Sequence, residues 1–203
     1  HHMEFGDFLL RFSPRNLLEI GGAHGILSKH CMDKEKLNWT ILEPNPSPVS
    51  GCKANFIKGF FDNKFRLDNP IDTIVHSHVL EHIYDPIEFM KNISNFLNIG
   101  QKLILSIPNM NIMLANKYSN CINFEHTFFL TEALADYLLT SNEFKILDKQ
   151  YFKNDHSIFY SCIKTDATET KHIPRNSYDI NKHIFIEFVE YHKKIVNELN
   201  QKI

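Results

Sequence analysis

Three groups of residues have the types and spacing for chemistry. The first is Gly21-Gly22-Ala23-His24-Gly25, placed between the apolar run Leu17-Leu18-Glu19-Ile20 and a helical stretch from Ile26. Small residues let a backbone take positive φ and let a ligand approach with no Cβ in the way. A helix start adds unpaired N–H groups and a partial positive charge, so strand, glycine loop and helix are a nucleotide site in outline. The second is Glu43, eighteen residues past Gly25 and at the end of the apolar run Trp39–Leu42. An acid about 20 residues beyond such a loop, at the tip of a second strand, is placed to accept from both hydroxyls of a ribose. The third is His126 beside Glu125. Imidazole, with an ordinary pKa near 6.5, suits a general base that removes a hydroxyl proton, and Glu125 is placed to orient it. His76, His78 and His82 also lie close in sequence. No recognisable carboxylate or cysteine set completes them, and no metal site is expected.

Positioning these groups needs a sheet whose strands end at one edge. Asn16–Ile20, Trp39–Leu42, Asn55–Lys58, Ile71–Val75 and Lys102–Ile107 read as strands, and the first is apolar enough for a central parallel strand covered on both faces. Helices fit between them. Asp85-Pro86-Ile87-Glu88 combines a cap, a first-turn proline and a capping-box acid, Ile87, Met90, Ile93 and Leu97 recur at helical spacing, and Gly100 marks the stop. Alternation of this kind predicts a doubly wound parallel sheet. Met110 to Cys121 reads as irregular, long enough for a lid or substrate loop, and Thr131 caps a helix through Leu139. His126 lies between these two and is expected to face the cleft over the strands' carboxyl ends. Phe144–Tyr151 and Ser157–Lys164 read as an antiparallel strand pair. Residues 165–177 read as a polar linker, and 178–203 as a helix with an apolar stripe that packs in cis or forms a homodimer.

The 203 residues allow one domain with an appendage, and 43% apolar with 23% charged residues is ordinary for a globular chain. Residues 1–3 read as a tag remnant and residues 4–164 as the folded domain. A net charge of −2 gives no general attraction to nucleic acid or an anionic membrane. No apolar run reaches the roughly 18–20 residues of a membrane span. Cys31, Cys52, Cys121 and Cys162 are scattered, which predicts reduced thiols and a cytoplasmic location.

From about Asn16 to Lys164 the chain resembles the class I S-adenosylmethionine-dependent methyltransferases. The most specific segment is Ile71-Asp72-Thr73-Ile74-Val75-His76-Ser77-His78-Val79-Leu80-Glu81-His82-Ile83-Tyr84-Asp85-Pro86, continued by Phe89 and Phe96-Leu97-Asn98-Ile99-Gly100. The resemblance implies an α/β fold with a mostly parallel, Rossmann-like seven-stranded sheet. It implies S-adenosyl-L-methionine as cofactor and S-adenosyl-L-homocysteine as product. Glu19 would fix the loop and reach the methionine ammonium through its network. Gly21 and Gly22 would pass under the cofactor, with Ala23 and Gly25 completing the loop. Glu43, followed by Pro44, would hold the ribose hydroxyls. Phe60 and Phe61 would lie beside the adenine, and Ser77, His78 and Val79 would approach the methionine portion.

The Gly-x-Ala-x-Gly loop, Glu43-Pro44, Pro108 and Phe124-Glu125-His126-Thr127-Phe128-Phe129 are similar to the sugar C-methyltransferase group. There the last segment reads Tyr-His-Glu-His; here Asn123 and Phe124 replace its first two residues. The resemblance therefore implies a small polar acceptor, a sugar or nucleotide-sugar of surface-polysaccharide or related biosynthesis, methylated on a hydroxyl with His126 as base. The alternatives are a methyltransferase for a quinone- or lipid-type acceptor and a non-catalytic interaction module with this fold. In the sugar group a further domain follows, so residues 178–203 could be the start of one.

Overall fold

A computed structural model of the protein describes residues 1–122, 125–154 and 156–202. Among these residues seven strands form one sheet: β1 (Asn16–Ile20), β2 (Asn38–Glu43), β3 (Asn55–Lys58), β4 (Thr73–Ser77), β5 (Lys102–Pro108), β6 (Phe144–Phe152) and β7 (Ser157–Lys164). Their spatial order is β3-β2-β1-β4-β5-β7-β6. The first five are parallel, and β7 runs antiparallel to both β5 and β6. The order reverses between β1 and β4, so the crevice outside their carboxyl ends is where a ligand binds in such sheets.

Among the described residues six α-helices complete the fold: α1 (His2–Leu10), α2 (Ile26–Lys34), α3 (Pro86–Phe96), α4 (Met110–Ala115), α5 (Glu132–Thr140) and α6 (Ser177–Asn200). Alternate residues of each central strand face opposite layers. Leu18, Ile20 and Ile74 meet Met90 and Ile93 of α3 and Leu138 and Leu139 of α5. Leu17, Ile41 and Val75 meet Phe5, Phe8 and Leu9 of α1 and Leu27 of α2. Each such buried side chain contributes roughly 1.5–3 kcal/mol, so both layers anchor β1 and β4 and hold their carboxyl ends in register.

Side-chain caps set two helix starts. The Asp85 carboxylate accepts from Glu88 N–H at 2.9 Å, and the Thr131 hydroxyl accepts from Leu134 N–H at 3.3 Å. Several details depart from the sequence reading. α3 ends at Phe96, before Gly100, and Gly100 (φ +90°) instead forms the turn into β5. Ile87 of the expected stripe is exposed, and Phe89 is buried in its place. β4 starts two residues late, at Thr73, because Asp72 is occupied as a cap whose carboxylate accepts from the N–H of Arg15 and Asn16. Part of the segment expected to be irregular is helical: α4 buries Met110, Met113 and Leu114 against Phe188 of α6, with Ile184, Phe185 and Val189 alongside. The first half of the last helix's stripe, through Val189, thus packs in cis on a partner that tertiary contact makes helical, whereas Ile195, Val196 and Leu199 are exposed. Ordered contacts also extend into residues 1–3, where His1 accepts or donates a 2.8 Å hydrogen bond with the Ser106 hydroxyl. Among the described residues no helix is long and apolar enough to cross a membrane.

Candidate functional site

The loop after β1 is locked by its own packing. Gly21 has φ +72°, and a Cβ there would stand 2.7 Å from Val79 Cγ2, in the loop after β4. Glycine is therefore required twice, by conformation and by the contact between the two loops that flank the switch point. Gly22 lies over Glu19 and Ile41, whose side chains a Cβ would meet at 2.7 Å. Gly25 (φ +70°) starts α2, packed against Cys52 and Phe56. Ala23 has φ +44°, a left-handed conformation that glycine would hold with less strain.

Glu19 lies buried beneath this loop and accepts a hydrogen bond from Trp39 Nε1–H at 2.9 Å. Burial pushes its carboxyl up to about 7; the Trp39 bond opposes the rise and the Glu43 charge adds to it. Its side chain lies directly under Gly22 of the loop. Glu43 holds the loop from the side: one carboxylate oxygen accepts from Ala23 N–H and the other from Asn45 N–H, each at 3.0 Å. A carboxylate has about four lone-pair positions, so two remain for a ligand. Pro44 follows at the carboxyl end of β2. His24, within the loop, bonds through Nδ1 to the Ser47 carbonyl at 2.8 Å, which ties the proline-rich crossover to the loop.

Phe60 and Phe61 separate after β3. Phe60 is 76% exposed at the rim, whereas Phe61 packs among Phe65, Phe89 and Phe96. Across the crevice, Ser77 ends β4 and His78 has φ +53°. His78 Nδ1 donates to Glu81 Oε1 at 3.1 Å, while its Nε2 lies 3.3 Å from the Ser157 hydroxyl. His76 is buried in β4 beside the Phe89 ring, and burial lowers its pKa to about 4, so it stays neutral and inside the core.

The second half of the site is assembled over long sequence distances. Leu80–His82 forms a 3-10 turn after β4, and the segment around His126 is clamped onto it. Thr127 N–H donates to the Glu81 carbonyl at 2.9 Å, and its hydroxyl donates to the Ile83 carbonyl at 2.8 Å. This brings the His126 ring to 5.1 Å from that of His82. His126 Nδ1 donates to the Cys121 carbonyl at 3.1 Å, and His82 Nδ1 donates to the Glu125 carbonyl at 3.0 Å. The Glu125 side chain is exposed; its main chain is what meets His82. Asn123 and Phe124, at the two replaced positions, lie outside the described residues.

Glu81 and His82 were not singled out by the sequence reading as site residues. One ligand atom from each of Glu81, His82 and His126 lies within 4.8 Å of the others. The missing carboxylate of the histidine group is thus Glu81 itself, and the third member is His126, 44 residues beyond His82. The spacing His78-x-x-Glu81-His82 was the available signal.

Two concavities of similar size flank the sheet. One, about 570 Å³, opens at the carboxyl end of β5 and is lined by Asn109, Asn111, Glu132, Asp136 and Tyr151. The other, about 560 Å³, lies at the amino ends of β1 and β2, away from the switch point, with Lys53 its sole ionisable lining residue.

Residues 2–149 match the family model described as a methyltransferase domain. No curated protein matches significantly in sequence. Among solved structures, the chain is similar to 1,6-didemethyltoxoflavin-N1-methyltransferase of Burkholderia thailandensis, solved with 1,6-didemethyltoxoflavin and S-adenosylhomocysteine. The TM-score is 0.63 at 14% identity over 81% of this chain and 79% of that one. Magnesium protoporphyrin IX methyltransferase of Synechocystis, solved with S-adenosylhomocysteine, gives 0.62 at 14% identity over 81% and 84%. The N-methyltransferase NodS of Bradyrhizobium japonicum, with the same ligand, gives 0.60 at 16% identity over 81% and 86%.

Proposed function

The chain belongs to the methyltransferase-domain family, and from that premise we propose that it methylates a hydroxyl of a small polar acceptor, a sugar or nucleotide-sugar, with S-adenosyl-L-methionine as donor and His126 as general base. The observation that carries this reading is the pairing across the switch point of a glycine loop held by Glu43 with an imidazole pair held over β4. The three structural relatives were each crystallised with S-adenosylhomocysteine, and the residues here fit that group. The Glu43 carboxylate keeps two acceptor positions for the ribose diol, and Phe60 offers an exposed ring face at the rim.

When bound, the cofactor supplies an electrophilic methyl on sulfur. The chain's own work is alignment and proton removal. Holding two reactants in line is worth about 7–11 kcal/mol, and a placed base adds typically 10²–10⁴-fold. His126 suits the second task because its Nδ1–H is given to the Cys121 carbonyl, which only accepts, so the neutral ring carries its lone pair on Nε2. The concavity beside β5 is lined by Asn109, Asn111, Glu132, Asp136 and Tyr151 with Ile112 and Ala133; its two amides favour a polyhydroxylated acceptor, while Lys149 pairs with both carboxylates and the Tyr151 hydroxyl is given to Glu132.

The test is incubation of the purified chain with methyl-tritiated cofactor and a panel of nucleotide-sugars. The expected product is an O-methyl sugar, with turnover falling 10²–10⁴-fold in His126→Ala. A carbon-methylated product, or undiminished turnover in that variant, would contradict the assignment.

A further inference from the structure

We propose that Glu81, His82 and His126 form a divalent-cation site at the acceptor side of the cleft, taking a first-row cation through one carboxylate and two imidazoles. Their ligand atoms lie within 4.8 Å of one another, and His82 Nε2 stands 4.0 Å from Glu81 Oε1. Ligand atoms about 2.1 Å from a shared cation stand roughly 3–3.5 Å apart, so an inward shift of about 1 Å in these side chains closes the set.

Three independent features aim the trio at a cation. First, both imidazoles are in the ligating tautomer. His82 Nδ1 and His126 Nδ1 each give their hydrogen to a main-chain carbonyl, at 3.0 and 3.1 Å. This is the outer-shell bond that metal-bound histidines make, and it leaves the lone pair of each neutral ring on Nε2. Second, the Glu81 side chain is 1% exposed, and its Oε2 has no hydrogen-bond partner among the described residues. A buried carboxylate oxygen without a partner is costly, and since His82 lies nearest Oε1, a cation gripped by both oxygens of Glu81 satisfies it where no donor does. The other oxygen is held by His78 Nδ1, which fixes the carboxylate plane. Third, the frame is rigid: the two Thr127 bonds hold the His126 segment to the 3-10 turn that carries Glu81 and His82.

Two imidazoles and one carboxylate suit Zn²⁺, Mn²⁺ or Fe²⁺, and three protein ligands leave positions for an acceptor's oxygens. A coordinated hydroxyl is acidified, and its proton leaves to water. The inference rests on the methyl-transfer reading for the acceptor, and it changes the work given to His126 from base to ligand.

The experiment is titration of the full chain with Mn²⁺, read by loss of the free-ion paramagnetic resonance signal, and with Zn²⁺ by calorimetry. Neither contains S-adenosylhomocysteine, so its result stands apart from the cofactor reading. One cation per chain is expected. Glu81→Gln, which still accepts from His78, should weaken it at least about tenfold, as should His82→Asn and His126→Asn. His183→Ala, on the exposed face of α6, should leave it unchanged. Circular dichroism of each variant reports the fold. No uptake of either cation at millimolar concentration, or uptake that survives all three substitutions in folded protein, would overturn the proposal.

Discussion

On the β1–β2 side of the cleft the polar arrangement is main-chain amides held by Glu43, whereas beyond β4 it is the side chains of Glu81, His82 and His126. The first side is built from residues close in sequence: Glu43 reaches back 20 positions to Ala23. The second depends on a clamp between Thr127 and Glu81, 46 positions apart. A nucleotide-binding half needs backbone placed by strand ends and glycines, which local sequence dictates. An acceptor half needs side chains brought together by tertiary contact, so its specificity can change without disturbing the sheet.

The comparison predicts that damage to the first side is structural and damage to the second is confined. Gly21→Ala should cost roughly 2–5 kcal/mol, from left-handed strain plus a clash with Val79. Adding Val79→Ala should recover the steric part alone. Urea unfolding of the three variants tests it, and a Gly21→Ala chain as stable as the parent would break the comparison.

Glu19→Gln comes next. The folded carboxyl keeps its proton up to about pH 7, whereas the unfolded one loses it near 4.5. Between those values the folded chain binds more protons, so stability falls as pH rises through the window, by about 3 kcal/mol in all. Glutamine can still accept from Trp39 and has no such slope. Unfolding midpoints at pH 5 and pH 8 should therefore diverge between parent and variant, the variant gaining at pH 8; parallel profiles would refute the buried-carboxyl account.

Thr127→Val should have the smallest effect, about 1 kcal/mol for the lost hydroxyl bond to Ile83. It sharpens the comparison, because affinity for S-adenosylhomocysteine should stay within twofold while turnover falls. Loss of both together would mean that the two sides are one mechanical unit.

What could be read from the sequence divides along the same line. Strand periodicity, the glycine loop and the spacing to Glu43 are local, and β1, β2, β3, β5 and the β6–β7 pair lie where the residues predicted. Caps at Asp85 and Thr131 were equally plain. The helical character of α4 was not, because its turns are stabilised by burial of Met110, Met113 and Leu114 on α6 and carry no side-chain cap. The separation of Phe60 from Phe61 depends on which one α3 covers. Glu81 escaped notice because a carboxylate beside a histidine gains meaning only when a third group, His126, arrives from elsewhere in the chain.

The central claim is that the Glu43-held loop binds the methyl donor's nucleoside. Its most direct test is calorimetric titration of the purified chain with S-adenosylhomocysteine, repeated with Glu43→Gln and with NAD as the control ligand. The account predicts saturable one-site binding of S-adenosylhomocysteine and none of NAD. Affinity should fall about 10–100-fold in the variant, as one loop amide and one ribose hydroxyl lose a charged acceptor. Absence of binding by the parent chain, or equal binding by Glu43→Gln, would contradict it.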